Sequence, residues 1–220
     1  STVSANVDAG FSIVSYTGTG SATTIGHGLS AKPELIIAKS TSESQQWGVQ
    51  SGTLGATKYL LLDTTGSAGT ASSLWNNTEP TASLFTVGTT STTNANNESY
   101  IAYCFHSVDG YSKVGSYTGN ANDDGTFVYT GFAVSYVLVK NTQASQSWWV
   151  IDNKRSPHNP ADETLYPNLG NAEETWSNKF IDCLSNGFKI RYNHPILNGS
   201  NQKLTYIAFA ETPFKYSNAK

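Results

Sequence analysis

The sequence contains no methionine, only two cysteines and few charged residues, which make up 13% of its 220 positions. No apolar run approaches the roughly 18 residues of a membrane-spanning helix, so we expect no membrane insertion. The formal net charge of −3 comes without a basic cluster, which argues against nucleic acid as a partner. Cys104 and Cys183 lie at unmatched places in the chain, and we expect two free thiols rather than a disulfide. Since the chain starts at Ser1 and lacks methionine, we expect it to be part of a longer polypeptide.

Serine, threonine, asparagine and glycine are abundant, and aromatic residues reach 12%. This mixture is unfavourable for helices and is typical of short strands joined by polar turns. Apolar residues make up 38% of the chain, which is enough to form packed cores. The composition therefore predicts an ordered, all-β protein.

Two halves of the chain carry similar motifs in the same order, about 100 residues apart. The matched pairs are Tyr16-Thr17-Gly18 with Tyr117-Thr118-Gly119, Ile36–Lys39 with Val137–Lys140, and Trp47-Gly48-Val49 with Trp148-Trp149-Val150. Short apolar or alternating segments recur every 8 to 12 residues or so, with turn signals between them, as in β-sandwiches. We predict two tandem antiparallel β-sandwich, jelly-roll-like repeats packed side by side.

The predicted boundaries follow from this repeat. Residues 1–10 are small and polar and are predicted to be a connector, residues 11–109 the first sandwich and residues 110–220 the second. The dipeptide Asp109-Gly110 marks the turn between the two repeats. One departure is expected in the second repeat: Asn171, three residues before Glu174, predicts a short helix reaching about Lys179.

Several separated motifs in the second half resemble a tandem domain of marine bacteriophages. They are Trp148–Asn153, Leu165–Leu169, Ile181–Phe188 and Tyr206–Tyr216, in the order in which that family has them. Such domains occur in tail-fibre and other virion structural proteins, often beside laminin-G-like lectin domains. The resemblance implies an extracellular virion appendage that touches the host surface, with other virion subunits as partners and a homo-oligomer, by analogy a trimer. It implies no catalytic residue and no cofactor.

The tryptophan pair is the first candidate site, because adjacent residues of a strand face opposite sides of a sheet. Trp148 aligns with Trp47, so both are predicted to be core residues. Trp149 aligns with Gly48 and is predicted to face outward. There its ring would either fill an interface or stack on a sugar.

A second candidate lies at Trp75, Asn76 and Asn77. A ring beside amides suits a sugar, since the ring covers the apolar face of a pyranose and the amides bind its hydroxyls. The alternative is a loop whose ring covers the edge of the core. Trp176 presents the same two alternatives.

Asp123 and Asp124 form the weakest candidate, because Asn120–Gly125 resembles the first half of a calcium loop. An EF-hand needs a carboxylate about six residues after the glycine, where this chain has Gly131. An Asx-rich turn is the alternative. The four histidines, His27, His106, His158 and His194, have no metal-ligand spacing.

Three functions fit these observations. The first is a non-enzymatic structural and adhesive module of a phage fibre that contacts host-surface glycans. The second is a capsid or tail decoration or assembly protein that binds no glycan. The third is a polysaccharide depolymerase using two of Asp152, Asp182 and Glu211, which would have to lie about 5–10 Å apart. No nucleophile elbow, Walker loop or dinucleotide fingerprint is present, and we expect no enzyme.

Overall fold

The computed structural model describes residues 1–175 and 180–213. Strands account for 42% of the chain and helices for 6%, and the strand pairs are antiparallel, so the predicted all-β sandwich class is confirmed. The chain divides into two compact units. Unit 1 comprises Ser1–Asp63 and Ala68–Ser107, and unit 2 comprises Thr64–Ser67 and the residues from Val108 onward.

Unit 1 has a large sheet with the strand order β1-β2-β9-β4-β5-β6-β7 and a smaller pair, β3-β8. Its strands are β1 (Thr2–Asn6), β2 (Phe11–Thr17), β3 (Thr23–Gly26), β4 (Leu35–Ser40), β5 (Gly48–Ser51), β6 (Lys58–Leu61), β7 (Gly69–Thr70), β8 (Leu84–Val87) and β9 (Ser99–Phe105). Two helical turns are α1 (Ser72–Trp75) and α2 (Ser91–Asn94). The alternating inward residues of β2 and β9 pack with Phe85 of β8, so the core lies between the two sheets.

Unit 2 has a four-stranded sheet, β10-β18-β12-β13, a three-stranded sheet, β11-β17-β16, and the pair β14-β15. The strands are β10 (Ser112–Thr118), β11 (Phe127–Tyr129), β12 (Val134–Asn141), β13 (Trp149–Asp152), β14 (Glu163–Thr164), β15 (Glu174–Thr175), β16 (Ile181–Leu184), β17 (Gly187–Ile190) and β18 (Lys203–Ala210), and the helical turn is α3 (Pro195–Asn198). Val137 and Val139 from one sheet pack with Phe188 and Ile190 from the other.

Strand order and register are the same in the main sheets of the two units. The order β2-β9-β4-β5 in unit 1 matches β10-β18-β12-β13 in unit 2. Likewise β3-β8 matches β11-β17. The proposed duplication remains a prediction, but these correspondences allow positions of the two units to be compared.

Two local predictions are wrong. Residues 2–6 form strand β1, which pairs with β2 along its whole length, where a connector was expected. The predicted helix is replaced at Glu174 and Thr175 by strand β15, which pairs with β14. Asn171 donates a hydrogen bond to the Glu174 carboxylate (3.1 Å), a contact between side chains that caps no helix. Residues 176–179 lie outside the described part of the chain, and Trp176 with them.

The cysteines are both free thiols, as predicted; Cys104 is buried and Cys183 is partly buried.

A buried asparagine closes one end of the sandwich in unit 1. Asn94, the last residue of α2, is fully buried. Its Oδ1 accepts a hydrogen bond from Thr19 N (2.8 Å), and its Nδ2 donates to Ser21 O (2.7 Å). The Tyr16 hydroxyl donates to the carbonyl oxygen of Thr93 next to it (2.8 Å). These contacts tie β2 and the loop that follows it to the helical turn α2, which precedes the final strand of the unit.

Unit 2 repeats this arrangement with Asn198 at the end of α3. Its Oδ1 accepts from Asn120 N (2.8 Å), and its Nδ2 donates to Asn122 O (2.7 Å). The Tyr117 hydroxyl donates to Leu197 O (2.8 Å). The loop held in this way, residues 120–125, leads directly into β11.

We expect Asn94→Ala to lower the free energy of unfolding by about 2–3 kcal/mol, because it removes three hydrogen bonds to the backbone, of which the one to Gly88 O is buried. Urea titration followed by tryptophan fluorescence measures this change. The control is Asn96→Ala, which removes an exposed amide two residues away and should cost little. Equal losses in the two variants would contradict the role given to Asn94.

Lys140, near the end of β12, is fully buried. Its Nζ donates to Thr65 O (2.9 Å) and to the carbonyl oxygen of Gln146. Burial lowers the pKa of this amine from 10.5 to about 8. The folded chain therefore releases this proton at a lower pH than the unfolded chain does.

Lys140 should give the stability of the protein a specific pH dependence. Between pH 8 and 10.5 the unfolded chain binds more protons at this site than the folded chain, so unfolding becomes less favourable as the pH rises. Relative to Lys140→Met, the wild type should gain on the order of 2 kcal/mol from pH 7.5 to pH 10. Parallel pH profiles of the two proteins in chemical denaturation would contradict this expectation.

Candidate functional site: the aromatic face of unit 2

The outer side of the sheet β11-β17-β16 carries two exposed aromatic rings. In the register of this sheet Phe127 lies opposite Lys189, and Tyr129 lies opposite Gly187. Leu184 of β16 follows Gly187 in the same row. These five residues, which we call the aromatic face, share one side of the sheet because residues directly opposite one another point the same way.

The inward residue of β11 determines which side chains are exposed. Val128 is 5% exposed and packs in the core with Phe188. Because side chains alternate along a strand, its two neighbours point outward. Phe127 is 43% exposed and Tyr129 is 66% exposed, and both are among the few large apolar side chains at the surface of the described residues.

Gly187 keeps the centre of the aromatic face flat. A Cβ atom at this position would lie 2.1 Å from Val128 O and 3.2 Å from Cε2 of Phe127. An added side chain would therefore collide with the carbonyl oxygen of Val128 and crowd the edge of the Phe127 ring. The result is an open surface on which a flat ligand can lie against the rings.

Charged groups border this surface on one side. Lys189 Nζ lies 2.9 Å from Asp124 Oδ1, and Arg191 Nη1 lies 3.3 Å from the same oxygen. Arg191 Nε also bonds Asp182 Oδ2 at 2.6 Å. The hydrogen bond and charge of Lys189, together with the charge of Arg191, lower the pKa of the Asp124 carboxyl.

This combination of groups suits recognition of a sugar. An aromatic ring offers an apolar surface to the C–H face of a pyranose, and it does so with little loss of conformational freedom. Ammonium, guanidinium and carboxylate groups bind hydroxyls or anionic substituents through strong hydrogen bonds. Groups of this kind, placed together, are suited to binding and orienting a ligand.

Trp149 does not face outward, and its predicted place at an interface or a sugar site is wrong. It is 2% exposed and packs edge-to-face on Phe180, with 4.3 Å between the ring centroids. Trp148 is also 2% exposed, as predicted, while its counterpart Trp47 is half-buried. Both sides of β13 are covered, so the alternation along the strand exposes neither ring.

Trp75 is likewise in a core, at 1% exposure, and cannot stack on a ligand. A Cβ atom on Gly48 would lie 3.6 Å from Cζ2 of Trp75, so the indole lies next to the glycine that aligns with Trp149. Asn76 and Asn77 are exposed and adopt left-handed backbone conformations, with φ of 51° and 48°. The ring points inward and the amides outward, and the predicted site of ring plus amides is not formed.

Asp123 and Asp124 have protein partners. Asp123 Oδ1 accepts a hydrogen bond from Asn193 N (2.8 Å), and Asp124 binds the two cations described above. Within residues 1–175 and 180–213, no three His, Cys, Asp or Glu side chains are grouped so as to hold a metal ion. The Asx-rich turn is the interpretation that fits these contacts, and the weak calcium candidate is not supported.

The three carboxylates considered for a depolymerase each contact a cation. Asp152 pairs with Arg155 (2.6 Å), Asp182 with Arg191 (2.6 Å) and Glu211 with Lys154 (3.4 Å). Burial acts to raise the pKa of Asp152, but hydrogen bonds and charge from Arg155 outweigh it and lower that pKa. The pairing with Arg155 thus favours the ionised form of Asp152, whereas a general acid must hold a proton near neutral pH.

Phe127 and Tyr129 were not singled out from the sequence. The signal that identifies them is the difference between the two units on the outer side of the smaller sheet. By register, their counterparts in β3 are Thr24 and Gly26. The change from glycine to tryptophan at Trp149 lies in the core, whereas the change from small residue to exposed ring lies at Phe127 and Tyr129.

The fold defines an antiparallel all-β sandwich protein. The chain belongs to a family described as a domain of unknown function (DUF7483), whose model matches residues 1–213 and so spans both units. No curated protein and no solved structure matches the chain. Among the described residues, no helix has the length and apolar character needed to cross a membrane.

We expect the buried and exposed rings to differ sharply in their effect on stability. Trp149→Ala and Trp75→Ala each leave a large cavity and should lower the free energy of unfolding by about 3–5 kcal/mol. Tyr129→Ala, the control, should cost less than about 1 kcal/mol because the ring is mostly in water. Urea titration measures all three, and a small loss for Trp149→Ala would contradict its place in the core.

Proposed function

We propose that this chain is a non-enzymatic structural and adhesive module of a phage tail fibre or similar virion appendage, and that its aromatic face contacts glycans on the host surface. The observation that carries the binding role is the pair Phe127 and Tyr129, which are exposed on the same side of one strand. The assignment to a virion rests on the motif resemblance described above.

Binding through one such face is expected to be weak. Two stacked rings and a few hydrogen bonds to exposed groups support a dissociation constant near the millimolar range, about −4 kcal/mol. A homo-oligomer with other virion subunits, such as a trimer, presents several faces at once. Linked binding events then raise the overall affinity by several orders of magnitude without new contacts.

The alternative is a capsid or tail decoration or assembly protein with no glycan ligand. Aromatic residues are enriched in protein interfaces, so the same face would then be covered by another virion subunit. In that case removal of the rings would alter assembly, and neither the wild type nor the variants would bind a glycan.

The test is a glycan-array measurement on the full chain together with Tyr129→Ala and Phe127→Ala. Each variant should weaken binding at least tenfold relative to the wild type, since each removes a stacking surface. The control is Leu84→Ala, which truncates an exposed apolar residue at the place in unit 1 that corresponds to Gly187. Absence of binding to every glycan, or equal binding by all four proteins, would contradict the adhesive role.

A further inference from the structure

We propose that the aromatic face binds acidic glycans, and that the carboxylate of a uronic acid or similar sugar replaces Asp124 between Lys189 and Arg191. This inference rests on the proposed glycan-binding function and adds the chemical class of the ligand. It follows from three properties of the charged border: the placement of its cations, the exposure of Asp124 and the burial of Asp182.

The cations lie beside the rings. Lys189 is the direct cross-strand neighbour of Phe127 on the same side of the sheet, where Cβ atoms are about 4.5–5.5 Å apart. Arg191 follows two residues later, and both cations reach a single carboxylate oxygen of Asp124. A pyranose stacked on Phe127 therefore has its ring substituents within reach of this pair.

Asp124 is held loosely enough to be displaced. Its side chain is 77% exposed, whereas those of Lys189 and Arg191 are 23% and 36% exposed. It stands on a loop in which Asn122 and Asp123 are also exposed. Water screens the ion pairs of such an exposed carboxylate, so a ligand carboxylate can take the place of Asp124 between the two cations.

Asp182 is held differently and stays in place. Its side chain is 11% exposed, and its short bond to Arg191 Nε leaves Nη1 of that guanidinium directed at the Asp124 oxygen. With Asp124 displaced, Lys189, Arg191 and Asp182 together carry one net positive charge. That charge favours an anionic ligand, and a neutral sugar gains nothing from it.

The experiment compares two probes that differ only in charge: a mannuronate oligosaccharide and its carboxyl-reduced form. Binding of each to the full chain is followed by two-dimensional NMR. The wild type should bind the acidic form at least fivefold more tightly. Asp124→Asn should strengthen binding of the acidic form about threefold or more and leave the reduced form unchanged, because the internal competitor has lost its charge.

Two further variants separate the effect of Asp124 itself from a general effect of charge on ligand affinity. Asp123→Asn makes the same charge change one residue away, and it should change neither affinity appreciably. The Asp123 carboxylate accepts a hydrogen bond from the backbone N–H of Asn193 and, among the described residues, pairs with no cation. Lys189→Met should abolish the preference for the acidic form and leave the ring-dependent binding of the reduced form.

The outcomes distinguish this inference from the function on which it rests. If both probes bind with equal affinity and Tyr129→Ala weakens both, the proposed preference for acidic glycans is wrong and the proposed glycan binding stands. If Asp124→Asn has no effect, or if Asp123→Asn strengthens binding equally, displacement of Asp124 is wrong. If neither probe nor any other glycan binds, both proposals fail.

Discussion

Val128 is the residue on which the surface of unit 2 depends. Its side chain points into the core beside Phe188, and the alternation of a strand then directs Phe127 and Tyr129 into water. The pairing register of β11 is fixed, because a shift of one residue would expose Val128 and direct both rings into a core that is already filled. Gly187 completes the arrangement, since a Cβ atom there would collide with the carbonyl oxygen of Val128 and would also crowd the Phe127 ring.

Differences between the two units have two physical origins. At Trp149 and Gly48 the difference is a change of packing: unit 2 fills its core with an indole from the strand, and unit 1 fills the same region with Trp75 from α1. At Tyr129 and Gly26 the difference lies at the surface, and the Tyr129 ring fills no space in the core. Only the second kind of difference points to an interaction with another molecule.

The sequence was sufficient to predict the all-β class, many of the strands and the corresponding positions Ile36 and Val137, because these depend on local alternation and turn residues. The sequence could not predict the position of Trp149. Alternation places one of two adjacent side chains in water only when one side of the strand is free, and β13 is covered on both sides. The role of Asn94 was also out of reach, because its partners lie about 75 residues away in the chain. Phe127 and Tyr129 required the register of β11 with β17, which no local pattern supplies.

The central claim is that the aromatic face is a binding surface, and chemical-shift mapping tests it most directly. A mannuronate oligosaccharide titrated into the labelled protein should shift the amide signals of Tyr129, Gly187 and Lys189, with the ring protons of Phe127 moving upon stacking. Signals near the buried Trp149 should stay in place. Shifts confined to another surface, or the absence of any saturable shift with acidic and neutral sugars alike, would contradict the account.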